Sequence, residues 1–209
     1  MKRSLSIAVL ALAILVLAAA SLALHRVSKK HAEQQKVVEV LRDTTEQLRQ
    51  ALTPRASSSL VARIDEDLKG AEAPGDPALA EAAEEYIVGA REIARRRVEV
   101  ERLERQAATN RAALEVHMTR GGRRNDAWFQ SALALKKRVE SDHFELDVTL
   151  KALDELLAGL PEAEKRLAPH VAATVLLDES EREAARRQAQ LQQKRATASL
   201  ERVRALALP

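Results

Sequence analysis

The side chains best suited to holding a metal or moving a proton are five histidines, His25, His31, His117, His143 and His170. No two stand at i, i+3 or i, i+4, the spacings that put two imidazoles on one helix face. If the chain folds back about Gly122, residues whose numbers sum to about 245 lie opposite each other, and His117 and His143 stay roughly 22 Å apart along the axis. They cannot share an ion. With no cysteine in the chain, thiolate sites and disulfides are excluded as well, and the expectation is no metal and no cofactor.

Asp142 and His143 fall on the apolar side of their helix. A buried carboxylate next to an imidazole is a candidate acid–base pair. The structural alternative has Arg102 or Arg105 on the facing helix pairing with Asp142 and fixing the register. The sequence contains no nucleophile elbow, no glycine-rich phosphate loop and no zinc-protease helix motif, so a hydrolase or a nucleotide enzyme has no central residue. The expectation is a protein without enzymatic activity.

The most distinctive local cluster is basic and aromatic. Arg120, Arg123 and Arg124 flank Gly121-Gly122, Trp128 and Phe129 follow, and His117 and Met118 stand one turn behind. With Tyr86 and Phe144 these are all the aromatics of the chain. Guanidiniums beside an aromatic pair make Arg120, Arg123, Arg124, Trp128 and Phe129 a candidate partner-docking surface. In the plainer reading Trp128 closes the core against Leu114 and the arginines are solvated. The triplet Arg95-Arg96-Arg97 is less informative, because helical neighbours point about 100° apart and Glu92, Glu99 and Glu101 can neutralise them.

These residues sit on long helices. Charged residues make up 31% of the chain while Gly and Pro total 12, a composition of extended helix or coiled coil. Asp76 as N-cap and Pro77 at the first helical position open a helix to Thr119. Within it Leu79, Tyr86, Ile93, Val100, Ala107 and Leu114 recur every seven residues. Gly121-Gly122 ends it, and Asn125 caps a second helix to about Gly159. Its expected seam holds Ala132, Leu135, Val139, Leu146, Leu153 and Leu156, widened by Phe144, Leu150 and Leu157. A loop this short folds the two helices into an antiparallel hairpin over 78–160.

Before the hairpin, residues 25–70 read as membrane-proximal helices: one to Thr53 with a stripe of Val38, Leu41, Thr45, Leu48 and Leu52, and a short one carrying Leu60, Ile64 and Leu68. A Gly/Pro-rich linker follows at 71–77. After the hairpin, 161–209 reads as C-terminal helices, a short one from Leu160-Pro161 to Pro169 and a long one over Val171–Leu206. The long one lacks large apolar residues between Leu177 and Leu191, and its acidic residues precede its basic ones, with a pair such as Glu183 to Arg187.

The N-terminus supplies an address. Ser4 to Leu24 is a run of 21 residues without charge behind Lys2-Arg3. At 1.5 Å per residue it spans about 31 Å, the thickness of a bilayer core. A retained signal anchor is expected, with the body in the periplasm, at the inner membrane of a bacterial envelope. The alternative is a cleaved secretory signal with an h-region at Ile7–Leu17. Counting positive charge alone, with Arg26, Lys29, Lys30, Lys36 and Arg42 after the run, would place the body in the cytoplasm. The formal net charge of +3 is spread along the helices, which gives no nucleic-acid footprint.

The expected architecture is therefore all-α: a transmembrane signal-anchor helix at 1–24 followed by an extended antiparallel hairpin or coiled-coil bundle. The expected function is structural, a scaffold working through protein–protein contacts in the envelope, with homo-oligomerisation compatible. In layout alone, one span followed by long helices, the chain resembles the extracytoplasmic four-helix sensor domains of chemoreceptors and phage spanins. A sensor of this layout would bind a small molecule and signal through a separate protein.

Overall fold

The computed structural model describes the backbone of residues 2–53, 76–119 and 125–206, and their side chains except those of residues 2–24 and Arg26. The described residues form four α-helices and no strand: α1 (Lys2–Leu52), α2 (Pro77–Thr119), α3 (Asp126–Leu167) and α4 (Glu179–Ala205), with a 3-10 turn at Ala173–Val175. The short helix expected around Leu60 to Leu68 and most of the 71–77 linker lie outside the described residues.

The α2–α3 hairpin forms as its caps and periodicity dictate. Asp76 Oδ1 accepts from the amides of Ala78 at 3.1 Å and Leu79 at 3.4 Å, and Asn125 Oδ1 accepts from the amide of Trp128 at 3.0 Å. Each cap satisfies donors that the first helical turn would leave orphaned. All six heptad positions of α2, Leu79 to Leu114, are buried. Opposite them lie Ala132, Val139, Leu146, Leu150, Leu153 and Leu157 of α3. Phe144, expected on this seam, instead points outward and is 55% exposed, while Leu135 and Leu156 are only partly covered. The seam turns toward Asp142, His143 and Thr149, because α3 must face α4 as well as α2.

Two expected breaks are displaced. The first is Pro161, which lies inside α3 and does not restart it. An internal proline costs about 3 kcal/mol. Continuing the helix buries Leu160 and Leu167 together with Ala163, and each leucine contributes about 1.5–3 kcal/mol, so packing wins. The second is Val171–Leu177, which is not helical beyond one 3-10 turn. The consecutive residues Val175, Leu176 and Leu177 are all buried, as is Val171. An α-helix would spread three consecutive side chains around its circumference, whereas the irregular path tucks them all under the bundle end. Helix α4 then starts at Glu179, where Glu181 Oε2 accepts from the Asp178 amide at 3.1 Å. Arg186, not Arg187, takes Glu183, and it also donates to Asp154 of α3 at 3.1 Å.

Helix α4 packs on α3 through alanines, with Ala189 and Ala196 buried and Leu191 left 56% exposed. Helix α1 completes the bundle over part of its length. Its buried stripe is Val37, Leu41, Thr44, Thr45, Leu48 and Ala51, turned slightly from the expected one, with Val38 and Leu52 at the margin. Thr45 Oγ1 donates to the Leu41 carbonyl at 2.9 Å, so the 2.9 Å contact with Tyr86 is a bond donated by the phenol. One heptad later Leu52 lies beside Arg97, so α1 runs in the same direction as α2 and stops near its middle. Arg49 forks onto Glu181 with both contacts at 3.1 Å and donates to the Leu176 carbonyl at 3.2 Å, pinning α1 to the start of α4. From His25 to Ala32 every described side chain is exposed, so α1 leaves the bundle before its uncharged run. No helix among the described residues is long and apolar enough to cross a membrane; the side chains of Ser4 to Leu24 lie outside them.

The packing of Ile93, fully buried between helices, sets a stability prediction. Ile93→Asp places an unpaired charge in the seam and should cost more than about 3 kcal/mol in denaturant unfolding. Glu99→Gln, which only loosens an exposed pair with Arg102 at 2.6 Å, should cost less than about 0.5 kcal/mol. Equal midpoints for the two variants would contradict the seam.

Candidate functional site

Past Leu52 the fourth position of the bundle has no helix among the described residues, and α2 and α4 stand as the walls of a groove floored by α3. Gln192 Nε2 reaches across to Glu104 Oε1 at 2.7 Å and closes the end nearest α1. Beyond that bridge the groove encloses about 530 Å³. Ala107, Ala108 and Ala112 line one wall and Ala196 and Ser199 the other, while His143 and Leu146 form the floor. Arg111, Glu115 and Arg195 stand at the rim. An apolar end pocket of about 270 Å³ continues from it, lined by Leu114, Met118, Val203 and Leu206 and sharing Arg111, Glu115 and Ser199 with the groove. Of these small residues only Ala107 belongs to the heptad of α2, and Ala108 and Ala112 are exposed beside it.

His143 is the unusual group. It is 8% exposed, and neither ring nitrogen has a hydrogen-bond partner. A buried imidazole without partners forfeits the hydrogen bonds it had in water, a cost of about 1–3 kcal/mol. Burial, followed by the charge of Arg111, holds its pKa below the ordinary 6.5, with Asp142 opposing them. The neutral imidazole therefore keeps one donor and one acceptor unpaired beneath the groove.

Asp142 does not form an acid–base pair with His143, and it does not meet the arginines expected opposite. Its two oxygens accept from Gln106 Nε2 at 2.5 Å and Asn110 Nδ2 at 2.6 Å. Arg102 is satisfied locally by Glu99 and donates to Gln106 Oε1 at 2.6 Å, while Arg105 donates to the Glu101 carbonyl at 3.1 Å. Two neutral amides one turn apart satisfy the carboxylate without requiring a guanidinium to be desolvated as well. Asp142 thus fixes the hairpin register, through different residues than the sequence suggested.

Of the docking cluster, Arg120, Arg123 and Arg124 lie outside the described residues. Trp128 is half-buried and stacks on His117 with centroids 5.0 Å apart, and His117 Nε2 sits 3.1 Å from the Trp128 carbonyl. Phe129 meets the edge of Trp128 at 5.3 Å and remains 36% exposed. The aromatic pair is therefore split between an inner closing residue and an outer one. In the arginine triplet, Arg96 pairs with Glu92 at 3.0 Å, and Arg97, which is buried, pairs with Glu101 at 3.4 Å. No cluster of metal-binding side chains occurs among the described residues. The groove itself was not legible in the sequence, because it depends on where α1 stops relative to α2.

No protein-family model, curated protein or solved structure matches this chain.

The depressed His143 pKa has a sign that can be measured. As pH falls through about 6.5 the unfolded chain takes up this proton before the folded one, so the group lowers stability until pH drops below its folded pKa. His143→Leu removes that dependence and the two unpartnered nitrogens. Its melting temperature should match or exceed that of the wild type near pH 7, with a smaller loss on going to about pH 5. A larger loss than in the wild type would contradict the assignment.

Proposed function

We propose that this protein is a membrane-tethered helical scaffold of the bacterial envelope. Residues 4–24 form the anchor, the body lies in the periplasm, and the α2–α4 groove receives a helix of a partner protein. The observation that carries the reading is that α1 covers only the proximal half of α2. Where α1 is present, its residues Val37 to Ala51 fill the space beside α2 and close the core. Where it stops, the same slot continues, among the described residues, as a groove with alanine and serine walls. Small wall residues let a helix backbone approach closely, and from Glu104 to Thr119 the opening runs about 22 Å, four helical turns. The anchor reading rests on the uncharged run and on α1, which passes unbroken from Lys2 to Leu52. The tip at Arg120, Arg123, Arg124, Trp128 and Phe129 is a second contact surface in this reading.

A sensor-like reading is favoured by one observation, the unpartnered imidazole of His143 buried in the groove floor. In that case a small polar molecule occupies the slot, and adding it raises the melting temperature of the purified chain.

Ala108 and Ala112 are exposed on the groove wall, so Ala108→Phe/Ala112→Phe fills the slot without disturbing the core. After isolation from its own membranes, the variant should lose the protein retained by the wild type while its melting temperature changes little. Both chains should stay with the membrane through carbonate extraction. An identical retained set for variant and wild type would contradict groove docking, and release by carbonate would contradict the anchor.

A further inference from the structure

The outer face of α3, turned away from the bundle, carries a pattern of its own. Asp126, Phe129, Leu133, Lys137, Glu140, Phe144, Val148 and Lys151 follow one another at spacings of three and four, so they form one stripe. Phe129, Leu133, Phe144 and Val148 are 36%, 39%, 55% and 50% exposed. Asp126, Lys137 and Lys151 are exposed too, and Glu140 is partly so, 3.9 Å from Lys136. These four apolar side chains include two of the four aromatic residues in the sequence, Phe129 and Phe144.

The stripe reads the same in charge and polarity when reversed and complemented. About a midpoint between Arg138 and Val139, Asp126 is the mirror position of Lys151, Phe129 of Val148, Leu133 of Phe144, and Lys137 of Glu140. Every acidic position has a basic mirror and every apolar position an apolar one.

We propose that this face is a homodimer interface in which α3 of one chain packs antiparallel on α3 of a second copy about a twofold axis at that midpoint. A twofold contact must be self-complementary, each residue meeting its mirror position twice, and this stripe meets that requirement at all its positions. Each half then supplies two apolar pairs, Phe129 with the partner's Val148 and Leu133 with the partner's Phe144. It also supplies two ion pairs, Asp126 with the partner's Lys151 and Lys137 with the partner's Glu140. The mean spacing, close to 3.6, suits two nearly antiparallel helices in ridges-into-grooves contact. A parallel pairing would set Lys137 against Lys137 and Glu140 against Glu140, which like-charge repulsion disfavours. The proposal does not depend on the groove or on the anchor. In this dimer α1 leaves the two chains in opposite directions. With α1 unbroken from Lys2 to Leu52, paired chains would enter two facing bilayers and not one.

The absence of cysteine makes the test direct. Full-length F129C and V148C chains, mixed in detergent and treated with a short bismaleimide, should give a cross-linked heterodimer, whereas F129C alone should give none. Sedimentation equilibrium should show a dimer for the wild type, a monomer for K137E, and a dimer again for K137E/E140K, in which the pair is restored with its charges exchanged. A monomeric wild type, F129C cross-linking to itself as readily as to V148C, or K137E dimerising as well as the wild type would overturn the proposal.

Discussion

The hydroxyl contact between Thr45 and Tyr86 sets the reach of α1, and the rest of the molecule depends on that reach. Both side chains are fully buried, and burial pushes the Tyr86 phenol up to about 12. A buried phenol without an acceptor would be costly, so a slip of α1 along α2 by one turn is disfavoured by that group alone. Arg49 adds a second fixed point, on Glu181 and the Leu176 carbonyl. With two points fixed, α1 has to end beside Arg97, and the distal parts of α2, α3 and α4 lack a fourth helix among the described residues.

The two halves of the bundle therefore differ in construction. Around Tyr86 and Ile93 the core is closed by α1, by the α2–α3 seam and by the Val171–Leu177 plug. Around Asp142 and His143 polar groups take over the interior: a carboxylate held by two amides and an imidazole held by nothing. Buried polar groups of this kind specify register at the expense of stability. The proposed binding groove lies in the half that carries these polar groups.

The hairpin was legible because its signals are local and redundant. Asp76-Pro77, a six-position heptad, Gly121-Gly122 and Asn125 all point to the same two helices. The features that were not legible are set by tertiary packing. Pro161 reads as a break until the burial of Leu160 and Leu167 is seen to outweigh one lost hydrogen bond. Val171 to Leu177 reads as helix until the bundle end that those side chains plug is known. Phe144 faces outward because it stands two residues, about 200°, from the seam position Leu146. The partner of Asp142 was misplaced because the level at which α2 and α3 meet depends on the hairpin turn, and a shift of one helical turn exchanges Arg102 and Arg105 for Gln106 and Asn110.

Native-state amide hydrogen exchange on the full-length chain tests most directly the claim that α1 closes only the proximal half. Amides of α2 from Tyr86 to Leu103 should exchange only through global unfolding. Those from Ala108 to Thr119, in the same continuous helix, should open at a clearly lower free energy. Equal protection along α2 as far as its last turns would mean that the fourth position is filled over its whole length, and would contradict the account.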